Sequence, residues 1–202
     1  MKLYYAPGAC SLAPHIALRE AGLPFEAVAV NLKTRQLADG GDYLAINPKG
    51  QVPLLELDNG ERLAEGPVIQ QYIADQAPAS ALMPPAGSWA RYRVLEWLNF
   101  ITSELHKGFS PLFNPAVPAE VKPLFAARVK ERLAWVDGEL AGREHLTGAP
   151  FTIADSYLFV VSNWTVPTGI DISDLPHLLA FRARVAARPA VQAAMRAEGL
   201  LK

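Results

Sequence analysis

The chain has one cysteine, Cys10, set between Pro7-Gly8-Ala9 and a segment of helical apolar spacing. A sulfur at the N-terminal edge of a helix lies near backbone N–H groups that lack an intrahelical partner, and near the positive end of the helix dipole. Both favour thiolate over thiol, and thiolate is the form that attacks electrophiles and disulfides. Ser11 follows directly and can donate a hydrogen bond to the sulfur. The position also suits an inert buried sulfur, and local context leaves the two readings balanced. With no Cys-x-x-Cys, a second thiol would have to come from outside the chain.

Three further clusters carry chemistry. In "NPKGQVP" (47 to 53) proline enters a strand without a donor for the ladder, and a cis Val52-Pro53 bond answers that problem. It would leave the Val52 N–H and C=O to pair with an extended peptide-like ligand; a purely structural turn is the rival reading. In "AEGPVI" (64 to 69), Glu65 and Gly66 open a predicted helix, where a backbone N–H can hold a carboxylate and Glu65 an ammonium. An acidic residue complementing the helix dipole is the plainer account. Asn99, Ser103 and His106 are four and three residues apart, which predicts one shared helical face with Lys107 at its edge. A solvated face competes with a ligand-facing one.

The elements that must position these groups follow from patterning. "KLYY" predicts a strand, residues 11 to 22 a helix, "FEAVAV" a second strand and 35 to 45 a short or irregular helix. Asp58-Asn59-Gly60 between "LLEL" and "ERL" signals a hairpin, and "GPVIQQYIADQ" a helix with proline in its first turn. That is a small mixed sheet with helices on its faces. "APASALMPPAGS" reads as a linker, and no strand is evident from Trp89 onward. Helices are predicted over 89 to 109, 120 to 140, 152 to 164, near 174 to 187 and over 190 to 197. The expected domains are therefore 1–77, a linker 78–88, and an all-helical 89–202.

Composition narrows the function. Half of the 202 residues are hydrophobic and the formal net charge is −1, with 19 basic residues spread along the chain. Nothing here points to nucleic acid or to an anionic membrane as a partner. No apolar run reaches bilayer length and the N-terminus lacks a signal-peptide core, so a cytoplasmic protein is expected. The four histidines, at 15, 106, 145 and 177, show no metal-ligand spacing, so no metal is expected.

Taken in order, "KLYYAPGACSLAPHIALRE", "NPKGQVPLL", "EGPVIQQYIAD", "RYRVLEWLNFITSELHKGFSPLF" and "FTIADSYLF" resemble the bacterial beta class of cytosolic glutathione transferases over essentially the whole chain. The resemblance implies an α/β thioredoxin-like N-terminal domain and an all-α C-terminal domain. It implies conjugation of glutathione, a co-substrate rather than a cofactor, to small hydrophobic electrophiles. It places Cys10 beside the glutathione thiol, pairs Val52 with the cysteinyl part, and gives the γ-glutamyl end to Glu65 and Gly66. Many transferases carry serine at the position of Gly66; here only the backbone N–H remains. Arg35 stands where the family often has lysine, a cation for a ligand carboxylate. Asn99, Ser103 and His106 would face the ligand, with His106 the second catalytic residue and Ser11 a further donor. The family is normally a homodimer, with residues near Glu104 and Lys107 reaching the partner's site. Thr152 and Asp155 match its N-terminal capping motif and are read as structural. Tyr5 is read as packing, and Phe109, Phe113 and Trp164 as apolar lining for the electrophile. Thiol–disulfide exchange, peroxidase or reductive dehalogenase chemistry at Cys10 is the nearest alternative, and a non-catalytic partner-binding regulator the more distant one.

Overall fold

Strand β1 (Lys2–Tyr5) buries Leu3, Tyr4 and Tyr5 in succession, the pattern of a strand covered on both faces. In this computed structural model, which describes residues 1–201, β1 is the middle strand of five. Helix α1 (Leu12–Glu20) leads to β2 (Glu26–Asn31), which pairs parallel with β1, Leu3 against Ala27. A two-residue strand β3 (Gln36–Leu37) pairs antiparallel with β2. The hairpin of β4 (Leu54–Glu56) and β5 (Arg62–Ala64) joins the other side, where β4 runs antiparallel to β1. The sheet order is β3-β2-β1-β4-β5. Helix α2 (Gly66–Gln76) follows, with proline in its first turn. The segment 35 to 45, expected as a short helix, is β3 plus a single 3-10 turn at Tyr43–Ala45. Asp42 begins that turn by accepting from the Leu44 N–H at 2.9 Å, and polar side chains around it lack the apolar stripe that a longer helix needs.

The second set of elements is helical. Helix α3 (Trp89–Phe100) starts at Ser88, whose hydroxyl accepts from the Arg91 N–H at 3.2 Å. It passes into a π-helical stretch, Ile101–His106, and on into α4 (Lys107–Phe113). The Thr102 and Ser103 hydroxyls donate to the carbonyls of Leu98 and Asn99 at 2.7 and 3.0 Å. Those are the carbonyls their own N–H groups would take in an α-helix, a competition that loosens α-helical bonding here. The helix therefore runs past 109 with Pro111 inside it. Then come α5 (Lys122–Leu140), α6 (Ile153–Asn163), the short α7 (Thr165–Thr168) and α8 (Pro176–Ala186). Every residue of α6 from Ile153 to Ser162 is buried; its large apolar side chains are worth about 1.5–3 kcal/mol each. Asp155 starts α6 by accepting from the Thr152 N–H, the Thr152 hydroxyl and the Leu146 N–H, each at 2.8 Å. Burial pushes its carboxyl up from the usual value, and those hydrogen bonds pull against that rise. Leu175 cannot cap α8, and Asp137 of α5 does so instead, accepting from the Leu178 N–H at 2.8 Å.

Helix α9 (Pro189–Ala197) closes the chain. Contacts divide the protein into two compact units, residues 1–83 with 188 onward, and residues 84–187. The sequence expectation kept everything after 89 together, whereas α9 packs on α1 in the first unit. Two groups, one buried and one partly buried, fix it there. Glu198 meets the His15 Nδ1 at 2.8 Å through one carboxylate oxygen and accepts from the Gly8 N–H at 3.0 Å through the other. Arg188 forks both nitrogens onto Glu20 at 2.6 and 2.9 Å. Helical character says nothing about which neighbour a helix chooses, so this grouping lay outside what patterning could give. Among the described residues no helix is long and apolar enough to cross a membrane.

Candidate functional site

Cys10 sits in the turn before α1, half-buried. Its Sγ donates to the Val52 carbonyl at 3.3 Å, and Val52-Pro53 is cis as expected. The Val52 carbonyl thus accepts from the thiol, and a carbonyl has a second lone pair with which to accept from a peptide. Ser11 is corrected. Its hydroxyl is buried, accepts from the Ala6 N–H at 3.1 Å and donates to the Ala6 carbonyl at 3.2 Å. It ties the turn that carries Cys10 and does not cap α1, because the closed Ala6–Ser11 loop uses both capacities of the hydroxyl.

The loop before Pro53 is held carbonyl by carbonyl. The Arg35 guanidinium donates to the Gly50 carbonyl. Tyr43 Oη and Asn47 Nδ2 both donate to the Gln51 carbonyl, at 2.8 and 2.7 Å. Gly50 has φ +60°, and a Cβ there would meet Leu44 Cδ2 at 3.0 Å and Arg35 Nε at 3.3 Å, so glycine avoids strain that any side chain would bring to this turn. Tyr43 and Asn47 were missed by sequence reasoning, although Asn47 opens the quoted "NPKGQVP". Among the described residues only three non-glycines have positive φ, and Arg35 (60°) and Glu65 (69°) are two of them. Each such residue costs on the order of 1–3 kcal/mol, and strain of this kind gathers at binding sites. The Glu65 carboxylate is exposed and meets Lys49 Nζ at 3.1 Å, a weak surface pair that a ligand ammonium can replace. Gly66 opens α2, and a Cβ built on it meets only Pro53 Cγ at 3.7 Å. Tyr5 is buried; desolvation first, and then the Glu198 carboxylate, push its phenol up, so it keeps its proton.

In the second unit, His106 ends the π-helical stretch. Its Nδ1 lies 2.6 Å from the Tyr157 hydroxyl. Its ring packs edge-on to Trp164, centroids 4.9 Å apart. Phe109 and Phe113 each meet Trp164 at 5.7 Å, so the three expected lining aromatics gather beside His106, with Phe109 fully buried and Phe113 half-exposed. Asn99 and Ser103 are exposed and His106 is half-buried; the stretch Ile101–His106 is π-helical, so a spacing of four and three no longer sets one face by α-helical geometry alone. The Glu104 carboxylate meets Arg132 at 3.0 Å and Arg128 at 3.7 Å, both on α5, in a partly exposed ion pair. Lys107 is exposed. Tyr157 was not foreseen; a tyrosine at the head of the otherwise apolar "YLFVV" was the available signal, since a buried phenol needs a partner.

The model of the glutathione S-transferase N-terminal domain matches residues 1–75, and that of the C-terminal domain residues 100–189. The chain belongs to the glutathione S-transferase family, with the thioredoxin-like and helical parts expected from the sequence. Glutathione S-transferase GstA of Escherichia coli O157:H7 is 50% identical over 99% of this chain and all of its own. A sphingomonad glutathione S-transferase solved in complex with glutathione is 55% identical, with a TM-score of 0.95 over 99% of this chain and 100% of that one. A bacterial beta-class enzyme of Sphingomonas chungbukensis is 51% identical, with a TM-score of 0.96 over the full length of both chains.

Proposed function

We propose that this protein conjugates the thiol of glutathione to small hydrophobic electrophiles. The observation that carries the reading is the Cys10 Sγ at 3.3 Å from the Val52 carbonyl beside cis-Pro53. A peptide lying along Val52 as an added strand pairs its backbone there, which sets a cysteinyl side chain near Cys10. Arg35 and Glu65 supply a cation and an anion for the charged ends of the tripeptide, and the first N–H groups of α2 at Gly66 a place for its α-carboxylate. Support also comes from family membership and from the glutathione complex of the sphingomonad relative. His106 supplies a hydrogen-bond donor to the anion that develops in the reaction, and Phe113 and Trp164 apolar contact for the electrophile. Lowering the glutathione thiol by two pKa units contributes under ~3 kcal/mol, so orienting the two reactants carries much of the rest.

The same placement of Cys10 supports a second activity. Its thiolate attacks oxidised glutathione, forms a mixed disulfide and releases one glutathione thiolate. Intact mass after incubation with oxidised glutathione, together with 1-chloro-2,4-dinitrobenzene conjugation by wild type, Cys10→Ala and His106→Ala, separates the two. A single adduct, with conjugation that survives in Cys10→Ala and falls in His106→Ala, supports both readings in their assigned places. An adduct without conjugation leaves thiol exchange alone. Neither result leaves a protein that has kept the fold and lost the chemistry. A cytoplasmic homodimer completes the proposal, on the strength of the family resemblance, and sedimentation of the purified protein reads its mass.

A further inference from the structure

We infer that Tyr157 is a positioning residue which fixes the neutral His106 ring as its Nε2–H tautomer, so that His106 works as a hydrogen-bond donor and not as a base. The inference rests on the role proposed above for His106. The Tyr157 oxygen and His106 Nδ1 are 2.6 Å apart. Hydrogen bonds from O–H donors run at about 2.5–3.0 Å and those from N–H donors to oxygen at about 2.7–3.2 Å, so the distance selects the phenol as donor. Chemistry agrees: a phenol O–H is the stronger acid and an unprotonated imidazole nitrogen the stronger acceptor. With Nδ1 accepting, the single ring proton of neutral His106 is on Nε2. That nitrogen has no lone pair in the ring plane to take a proton, and it has an N–H to give to an anion.

The surroundings hold this arrangement. Tyr157 is buried on α6, whose first turn is fixed by Asp155 and Thr152. The His106 ring is nearly perpendicular to both neighbouring rings, 79° to Tyr157 and 71° to Trp164. Those contacts fix the plane of the imidazole, and turning it over within that plane would take Nδ1 away from the Tyr157 hydroxyl.

Nitrogen-15 spectra of the histidine side chains in the whole protein, at a pH where they are neutral, test this directly, with His106→Gln assigning the resonances. The expected wild-type result is a protonated Nε2 and an unprotonated Nδ1 at the position of a hydrogen-bond acceptor. In Tyr157→Phe the Nδ1 signal should move to that of an unbonded nitrogen, and kcat for conjugation should fall about tenfold with the KM for glutathione within about twofold, one hydrogen bond's worth. A proton on Nδ1 in wild type, or a His106 spectrum that Tyr157→Phe leaves unchanged, overturns the inference, even if activity drops. Should Tyr157→Phe fail to fold, 3-fluorotyrosine placed at 157 makes the phenol a stronger donor and must shift Nδ1 further; no shift overturns it. The spectra do not depend on turnover. Full conjugation by His106→Gln would therefore remove the catalytic role of His106 while the tautomer stood or fell by itself.

Discussion

Around Cys10 the chain offers backbone. The Gly50, Gln51 and Val52 carbonyls are each gripped by a named side chain, Arg35, Tyr43 with Asn47, and Cys10. Around His106 it offers rings, those of Tyr157, Trp164, Phe109 and Phe113, and one short hydrogen bond. Main-chain groups held in place by strained residues and by a glycine of positive φ suit one ligand of constant shape. Aromatic faces, which attract by area and contact more than by direction, accept many. A protein that joins one invariant partner to varied ones has use for both materials.

The sharpest way to break the aromatic cluster is from beneath. Asp155→Ala strips three donors of their acceptor at the start of α6 and should cost roughly 2–4 kcal/mol, read as a lower urea midpoint. An unchanged midpoint would show that the cap holds nothing. Gly50→Ala attacks the backbone side. A left-handed alanine pressed on Leu44 and Arg35 should cost about 1–3 kcal/mol and raise the glutathione KM severalfold while sparing that of the electrophile. If both constants rise alike, the two clusters are not separable in function. Trp164→Ala is the mirror experiment. Loss of its ring contacts, about 0.5–1.5 kcal/mol per pair, should raise the electrophile KM about three- to tenfold and leave glutathione nearly untouched. Gly66→Ser is the smallest and runs in the favourable direction. A serine Cβ fits against Pro53, and one added hydrogen bond to glutathione lowers its KM roughly two- to tenfold; a higher KM would place the ligand elsewhere.

What the sequence disclosed was local. The strands of "KLYY" and "FEAVAV", the hairpin at Asn59-Gly60, helix α2 from Gly66 to Gln76 and the cis Val52-Pro53 bond each follow from a few adjacent residues. What stayed hidden was decided by partners far along the chain. Ser11 looked like a free donor until Ala6 closed on it. His106 was legible as a candidate, whereas Tyr157 lies 51 residues further on. The π-helical turn escaped because spacing arguments assume one winding throughout, and two hydroxyls that bond back along the helix undo it.

The hydrogen bond from the Gly8 N–H to Glu198 joins residues 190 apart. Gly8 lies two positions before Cys10, so the turn that carries the thiol has, besides its local Ala6–Ser11 bonds, a hold from a carboxylate far along the sequence. Synthesis runs from the first of these to the last. The Ser11–Ala6 hydrogen bonds, between residues five apart, are available early, whereas the Glu198 contact to Gly8 must wait until the residues after α9 have been made. The same turn is thus tied first by near neighbours and afterwards by a distant carboxylate, and the docking of α9 on α1 adds a second hold on the segment before Cys10.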